Sequence, residues 1–129
     1  MPHLHIEYSP GLERRTSIAD LCRILHAAML DAEIFPIAGI RVRAFKADFS
    51  IVADGLVEND FLAMTLSVGA GRSTEALKAA GDKLFKAAQS ALAPELATPH
   101  FALSLEIRII NPDLSWKDTP IHTRLSAKH

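Results

Sequence analysis

The chain has 129 residues, of which 49% are hydrophobic and 22% charged, and a net charge of −1. This balance suits one globular domain, residues 1–129, able to bury roughly two-thirds of its unfolded surface, and without a basic excess it offers no field to recruit nucleic acid or an anionic membrane. The single cysteine, Cys22, excludes an internal disulfide and a multi-cysteine zinc site; no signal-like or membrane-spanning apolar run is present, so a cytoplasmic protein is expected.

Proline in second position is small enough for the initiator methionine to be removed, which would make Pro2 a free secondary amine. An α-amino group titrates near about 7.7–8.0, and burial or a neighbouring cation disfavours its charged form, so such an amine can serve as a base at cell pH. Taken alone, Pro2 also reads as a merely permissive second residue, and the rest of the chain has to decide. Leu4, Ile6 and Tyr8 alternate with His3, His5 and Glu7, the period of a strand that would anchor the terminus. Two strand histidines can supply metal ligands, but packing or hydrogen bonding is the expected use of His3 and His5, and no metal is expected.

Ser9-Pro10-Gly11 reads as a turn. Ser17 and Asp20 form a capping signal for an amphipathic helix of roughly four turns, with Ile18, Leu21, Cys22, Leu25, Ala28, Met29 and Ala32 at helical spacing. It ends before Phe35-Pro36, and Cys22 on its apolar stripe reads as a small core residue. Residues 37–47 look like a second strand, with Arg41 and Arg43 on the face opposite Ile40, Val42 and Ala44. Asp54-Gly55 suggests a hairpin-like turn between Ile51-Val52 and Leu56-Val57.

The pattern then repeats. Residues 61–68 alternate; Gly69-Ala70-Gly71-Arg72-Ser73 leads into a helix from about Thr74 to Ala93, which Pro94 should stop; and residues 101–109 alternate most regularly of all. The tail from Asn111 should add a short strand or wrap a neighbour, with Trp116 as a packing element, and fray near Lys128. Pseudo-repeats at about 2–48 and 60–110, followed by the tail 111–129, give an α+β, two-layer architecture: two tandem βαβ units in one mixed four-stranded sheet, with both helices on one face. The other face mixes Phe61 and Ala63 with Thr65, Ser67, His3 and His5, which predicts burial against further copies in a closed homo-oligomer.

Pro2-His3 opening a strand that ends near Glu7, the block Ile34-Phe35-Pro36-Ile37-Ala38-Gly39-Ile40-Arg41-Val42-Arg43, Ala53-Asp54-Gly55, the block Met64-Thr65-Leu66-Ser67-Val68-Gly69-Ala70-Gly71-Arg72-Ser73, and Leu103-Ser104-Leu105-Glu106-Ile107 through to the His122 region stand in order along nearly the whole chain. Together they resemble the tautomerase superfamily and, within it, the 5-carboxymethyl-2-hydroxymuconate isomerase family. The resemblance implies a tautomerase-like homotrimer with active sites near subunit boundaries. Pro2 would be the catalytic base once Met1 is gone, with Arg41 and Arg72 as substrate-binding residues and Arg43, one strand repeat farther on, as a further candidate.

The implied reaction is cofactor-independent conversion of the dienol 5-carboxymethyl-2-hydroxymuconate to its 2-oxo isomer, in aromatic-compound (homoprotocatechuate) catabolism. Arginine suits this chemistry, because its planar fork of donors matches a carboxylate, and Arg72 also precedes a helix N-terminus. Without the resemblance, Arg41 would read as a surface or intersubunit ion-pair residue, and Gly69-Ala70-Gly71 as a tight turn with no nucleotide site. Two other functions remain open: a broader keto–enol tautomerase acting on phenylenolpyruvate, or a noncatalytic oligomeric binding protein on the same scaffold.

Overall fold

A computed structural model describes residues 1–126. Strand β1 (His3–Tyr8) buries Leu4, Ile6 and Tyr8, the period-two set expected of it. A 3₁₀ turn, Pro10–Arg14, follows, and then helix α1 (Ile18–Asp31), capped as its sequence implies by Ser17, whose side chain accepts from the Asp20 N–H. Strand β2 (Arg41–Lys46) runs parallel to β1. Strand β3 (Asp60–Gly69) lies antiparallel on the other side of β1, helix α2 (Thr74–Ala91) starts from a Ser73 cap, and strand β4 (Phe101–Ile110) pairs parallel with β3. The strand order is β2-β1-β3-β4.

Two βαβ units thus join through the central antiparallel pair. Both helices cover one face: Leu21, Leu25 and Met29 of α1 and Leu77, Leu84 and Ala88 of α2 share one apolar core with Leu4, Ile6, Leu62, Met64 and Leu66. Each large side chain so buried contributes about 1.5–3 kcal/mol. The opposite face carries His3, His5, Arg41, Arg43, Thr65 and Ser67 on its three interlocked strands, in a register that sets His3 beside both Arg41 and Ser67. Among the described residues no helix is long and apolar enough to cross a membrane.

Four local expectations change. The second strand begins at Arg41 rather than at residue 37, because its parallel partner begins at His3 and leaves nothing for the preceding residues to pair with; Ile37–Gly39 instead forms a 3₁₀ turn closed by Gly39 N–H to Pro36 O at 3.0 Å. Helix α2 ends at Ala91, with Leu92 off the helical backbone at φ −107°, and Pro94 starts the one-turn helix α3 (Ala93–Leu96) instead of stopping α2. At the second position of a helix the missing N–H of proline costs nothing.

The Asp54-Gly55 turn exists, closed by Gly55 N–H to Val52 O at 2.9 Å, but its flanks make no strand ladder. Finally, the tail forms a 3₁₀ turn (Pro112–Leu114) and helix α4 (Pro120–Ser126) rather than a strand. The fraying expected near Lys128 lies outside the described residues.

A buried polar latch ties the first turn to β3. The Ser9 hydroxyl donates to Asp60 Oδ1 at 2.7 Å and accepts from the Phe61 N–H at 2.9 Å, while Arg15 Nη2 stands 3.5 Å from Asp60 Oδ2. Ser9 and Asp60 are almost wholly buried, so removing the hydroxyl strands both a carboxylate oxygen and an N–H. Ser9→Ala should therefore cost about 1–3 kcal/mol, visible as a lower urea midpoint at unchanged slope.

Candidate active site

The starts of β1 and β2 and the ends of β3 and β4 converge at one edge of the molecule, a consequence of the parallel and antiparallel pairings. Pro2 is buried there, docked by the Arg41 N–H on its carbonyl at 3.0 Å. Two glycines flank the terminus. A Cβ added at Gly39 would stand 3.0 Å from Pro2 Cδ and 3.9 Å from Pro2 N; one at Gly69 would stand 3.5 Å from the Met1 nitrogen. Gly39 is therefore pressed against the Pro2 ring, where a side chain would force a shift, whereas a Cβ at Gly69 would meet the terminus at ordinary van der Waals distance.

Each glycine also anchors an arginine. Arg41 Nη1 donates to Gly39 O at 2.8 Å, and Arg72 Nη1 donates to Gly69 O at 3.3 Å while its Nε donates to Ile34 O at 3.1 Å. The Arg72 guanidinium lies 5.1 Å from the centre of the Phe35 ring, and Gly71, at φ +111°, supplies the left-handed backbone just ahead of it. The two arginines expected from the sequence are thus brought to the same chain end as Pro2, each standing behind one of the two glycines.

Arg43 is placed differently. It is exposed on the open sheet face and meets His3 Nδ1 at 3.2 Å. His5 stacks on Phe45 with ring centres 4.8 Å apart and contacts Glu7 at 3.1 Å. The His3, His5 and Glu7 row is therefore engaged with neighbours of its own.

The Met1 amine is held below its ordinary value of 8.0, first by burial and then by the charges of Lys117, Arg72 and Arg41. The His3 imidazole is also held below its ordinary value, by burial and by Arg43 and Arg41. In both groups the shift disfavours the protonated form. A cavity of about 450 Å³ opens beside the terminus, walled by Met1, His3, Ser67, Gly69, Ile110 and Trp116 among others. A smaller one of about 140 Å³ lies on its other side, against Pro36, Gly39, Thr119 and His122.

Sequence reasoning missed Lys117, placed Ser67 on the open sheet face without a part in the site, and treated Trp116 as packing. Trp116 is 87% exposed and lines the larger cavity. No periodicity marks a residue that an irregular tail folds back over the sheet; Ser67, by contrast, was legible as an open-face residue of β3.

Four strands in the order β2-β1-β3-β4 with two helices on one face define a tautomerase fold: a fused 4-OT, described as a symmetric trimer, superposes with a TM-score of 0.64 at 19% identity, over 91% of this chain and 93% of that one. Residues 2–125 match the family model of 5-carboxymethyl-2-hydroxymuconate isomerase, and the chain belongs to that family. It is 34% identical to the 5-carboxymethyl-2-hydroxymuconate Delta-isomerase of Escherichia coli, over 95% of this chain and 97% of the relative. The crystal structure of a 5-carboxymethyl-2-hydroxymuconate isomerase from Deinococcus radiodurans R1 superposes with a TM-score of 0.88 at 37% identity, covering 96% of this chain and 93% of that one.

Proposed function

We propose that the chain, once freed of Met1, isomerises 5-carboxymethyl-2-hydroxymuconate to its 2-oxo form with Pro2 as the base. The observation that carries this reading is Pro2 itself, buried against Gly39 beside Gly69 and within the field of Arg41, Arg72 and Lys117. With Met1 attached, Pro2 N is an amide without useful basicity; its removal makes the same atom a secondary amine in a cationic, partly desolvated setting that disfavours the ammonium form.

Neutral Pro2 takes the proton of the 2-hydroxyl. The O–H electron pair becomes the C2=O bond, the C2=C3 pair moves to C3=C4, and the C4=C5 pair takes the proton back from the prolinium at C5. Atoms and electrons balance on the amine and the substrate alone. Arg41 and Arg72 bind substrate carboxylates and stabilise the negative charge of the dienolate, and Arg43, farther out on the sheet face, serves only incoming substrate. The same reading includes a homotrimer, which would cover the open sheet face, a cytoplasmic location and a place in homoprotocatechuate breakdown.

The test is ketonisation followed by ultraviolet absorbance, on protein whose intact mass shows Met1 removed, with phenylenolpyruvate as the competitor. Preferential turnover of the carboxymethylated dienol is expected. Preference for phenylenolpyruvate would redirect the assignment to a broader tautomerase, and turnover of neither would favour a binding protein. The pH profile adds a signed expectation. Because the base works deprotonated, kcat/KM should rise with pH through the amine's pKa and then level, and with burial and the same cations acting at Pro2 as they act on the Met1 amine, its acid limb should lie below the value of an exposed N-terminal proline in a peptide. A limb at or above that value would remove the cationic field from the mechanism.

A further inference from the structure

The two cavities flanking the N-terminus share two lining residues, Met1 and Lys117. Removal of Met1 would join them around Pro2 into one space with two lobes, and Lys117 would stand at the fork. The proposed substrate is itself forked: C5 of the dienol bears both a carboxylate and a carboxymethyl arm, so it presents three carboxylates. Arg41 and Arg72 are each already tied to a backbone carbonyl behind a glycine.

Lys117 is differently situated. It lies in the extended segment between the Pro112–Leu114 turn and helix α4, next to the exposed Trp116, and no ion pair among the described residues holds it. A compact ammonium on a long stem suits a carboxylate at the end of a flexible arm, where a planar fork has no geometric advantage.

Resting on the isomerase reading above, we propose that Lys117 binds the carboxymethyl arm at the fork of the two lobes and so sets the preference for the branched, tricarboxylated dienol over its unbranched counterpart. Of the charges acting on the Met1 amine, Lys117 has the largest effect, ahead of Arg72 and Arg41, which agrees with a position beside the space that Met1 vacates. The C-terminal tail then has a function that its lack of periodicity conceals: it carries the specificity contact to a site assembled by the sheet.

The test measures binding of two unreactive, saturated mimics to the Met1-free protein by calorimetry. Pentane-1,2,5-tricarboxylate keeps the carboxymethyl arm and adipate lacks it. The native protein should bind the tricarboxylate at least tenfold more tightly than adipate. Lys117→Gln should reduce that preference to threefold or less, mostly by weakening the tricarboxylate, and Lys117→Arg should restore most of it. An unchanged preference in Lys117→Gln, an equal loss on both ligands, or no preference in the native protein would each overturn the assignment. Turnover of the dienol by the native protein judges the isomerase reading separately, so failure of one is distinguishable from failure of the other.

Discussion

Pro2→Ala should lower kcat for ketonisation by about a hundredfold or more, within the 10²–10⁴ range of a positioned general base, while the variant still folds and assembles. Alanine in second position also permits removal of Met1, so the comparison is between two free amines rather than between an amine and an amide. The primary amine lacks the ring whose Cδ sits against Gly39; without that contact the nitrogen can turn away from the cavity. Kinetics with mass-verified protein decide the matter, and full activity in the variant would remove Pro2 from the mechanism. Protein that retains Met1 should be inactive, because amide nitrogen is not a base at any working pH.

Arg72→Ala should reduce kcat/KM for the carboxylated dienol by roughly ten- to a hundredfold, as expected for loss of a charged hydrogen bond worth about 1.5–3 kcal/mol, with Arg41→Ala in the same range. Arg72 also has structural contacts, with Ile34 O, Gly69 O and the Phe35 ring, so its variant is to be read together with a thermal melt. Arg72→Lys separates the two contributions: it keeps a cation near the terminus but loses the planar fork, and should fall between the native protein and the alanine variant. Unimpaired turnover by either alanine variant would mean that its guanidinium does not touch substrate. A lowered melting temperature with native kinetics would leave Arg72 as a purely structural tie between the Ile34 loop and the end of β3.

The particular places where sequence reasoning failed share a cause. Ile37 to Ile40 has the composition of a strand, yet it lies beyond the reach of β1, whose ladder begins at His3, so absence of a partner overrides its local propensity. Pro94 is a helix breaker by its own chemistry, but a slight unwinding at Leu92 turns it into a helix start. Residues 111–126 offer no periodicity at all, and their turn and helix are set by what they pack against: α4 lies over the Ile37–Gly39 turn.

What the amino-acid order determined by itself is everything encoded between near neighbours: the alternating faces of the four strands, the two serine-capped helices with their apolar stripes, and the βαβ repetition; Pro2, Arg41 and Arg72 were singled out by the family resemblance, not by local pattern. Strand and helix periods of two and 3.6 residues are local properties, and they survive to be read. Only the tertiary structure decided that Gly39 and Gly69 both lie against the terminus, that both arginines are pinned to those glycines, and that Lys117 reaches the same place from the far end of the chain. These are distances between segments remote in sequence, set by the strand order β2-β1-β3-β4 and by packing, and no spacing along the chain contains them.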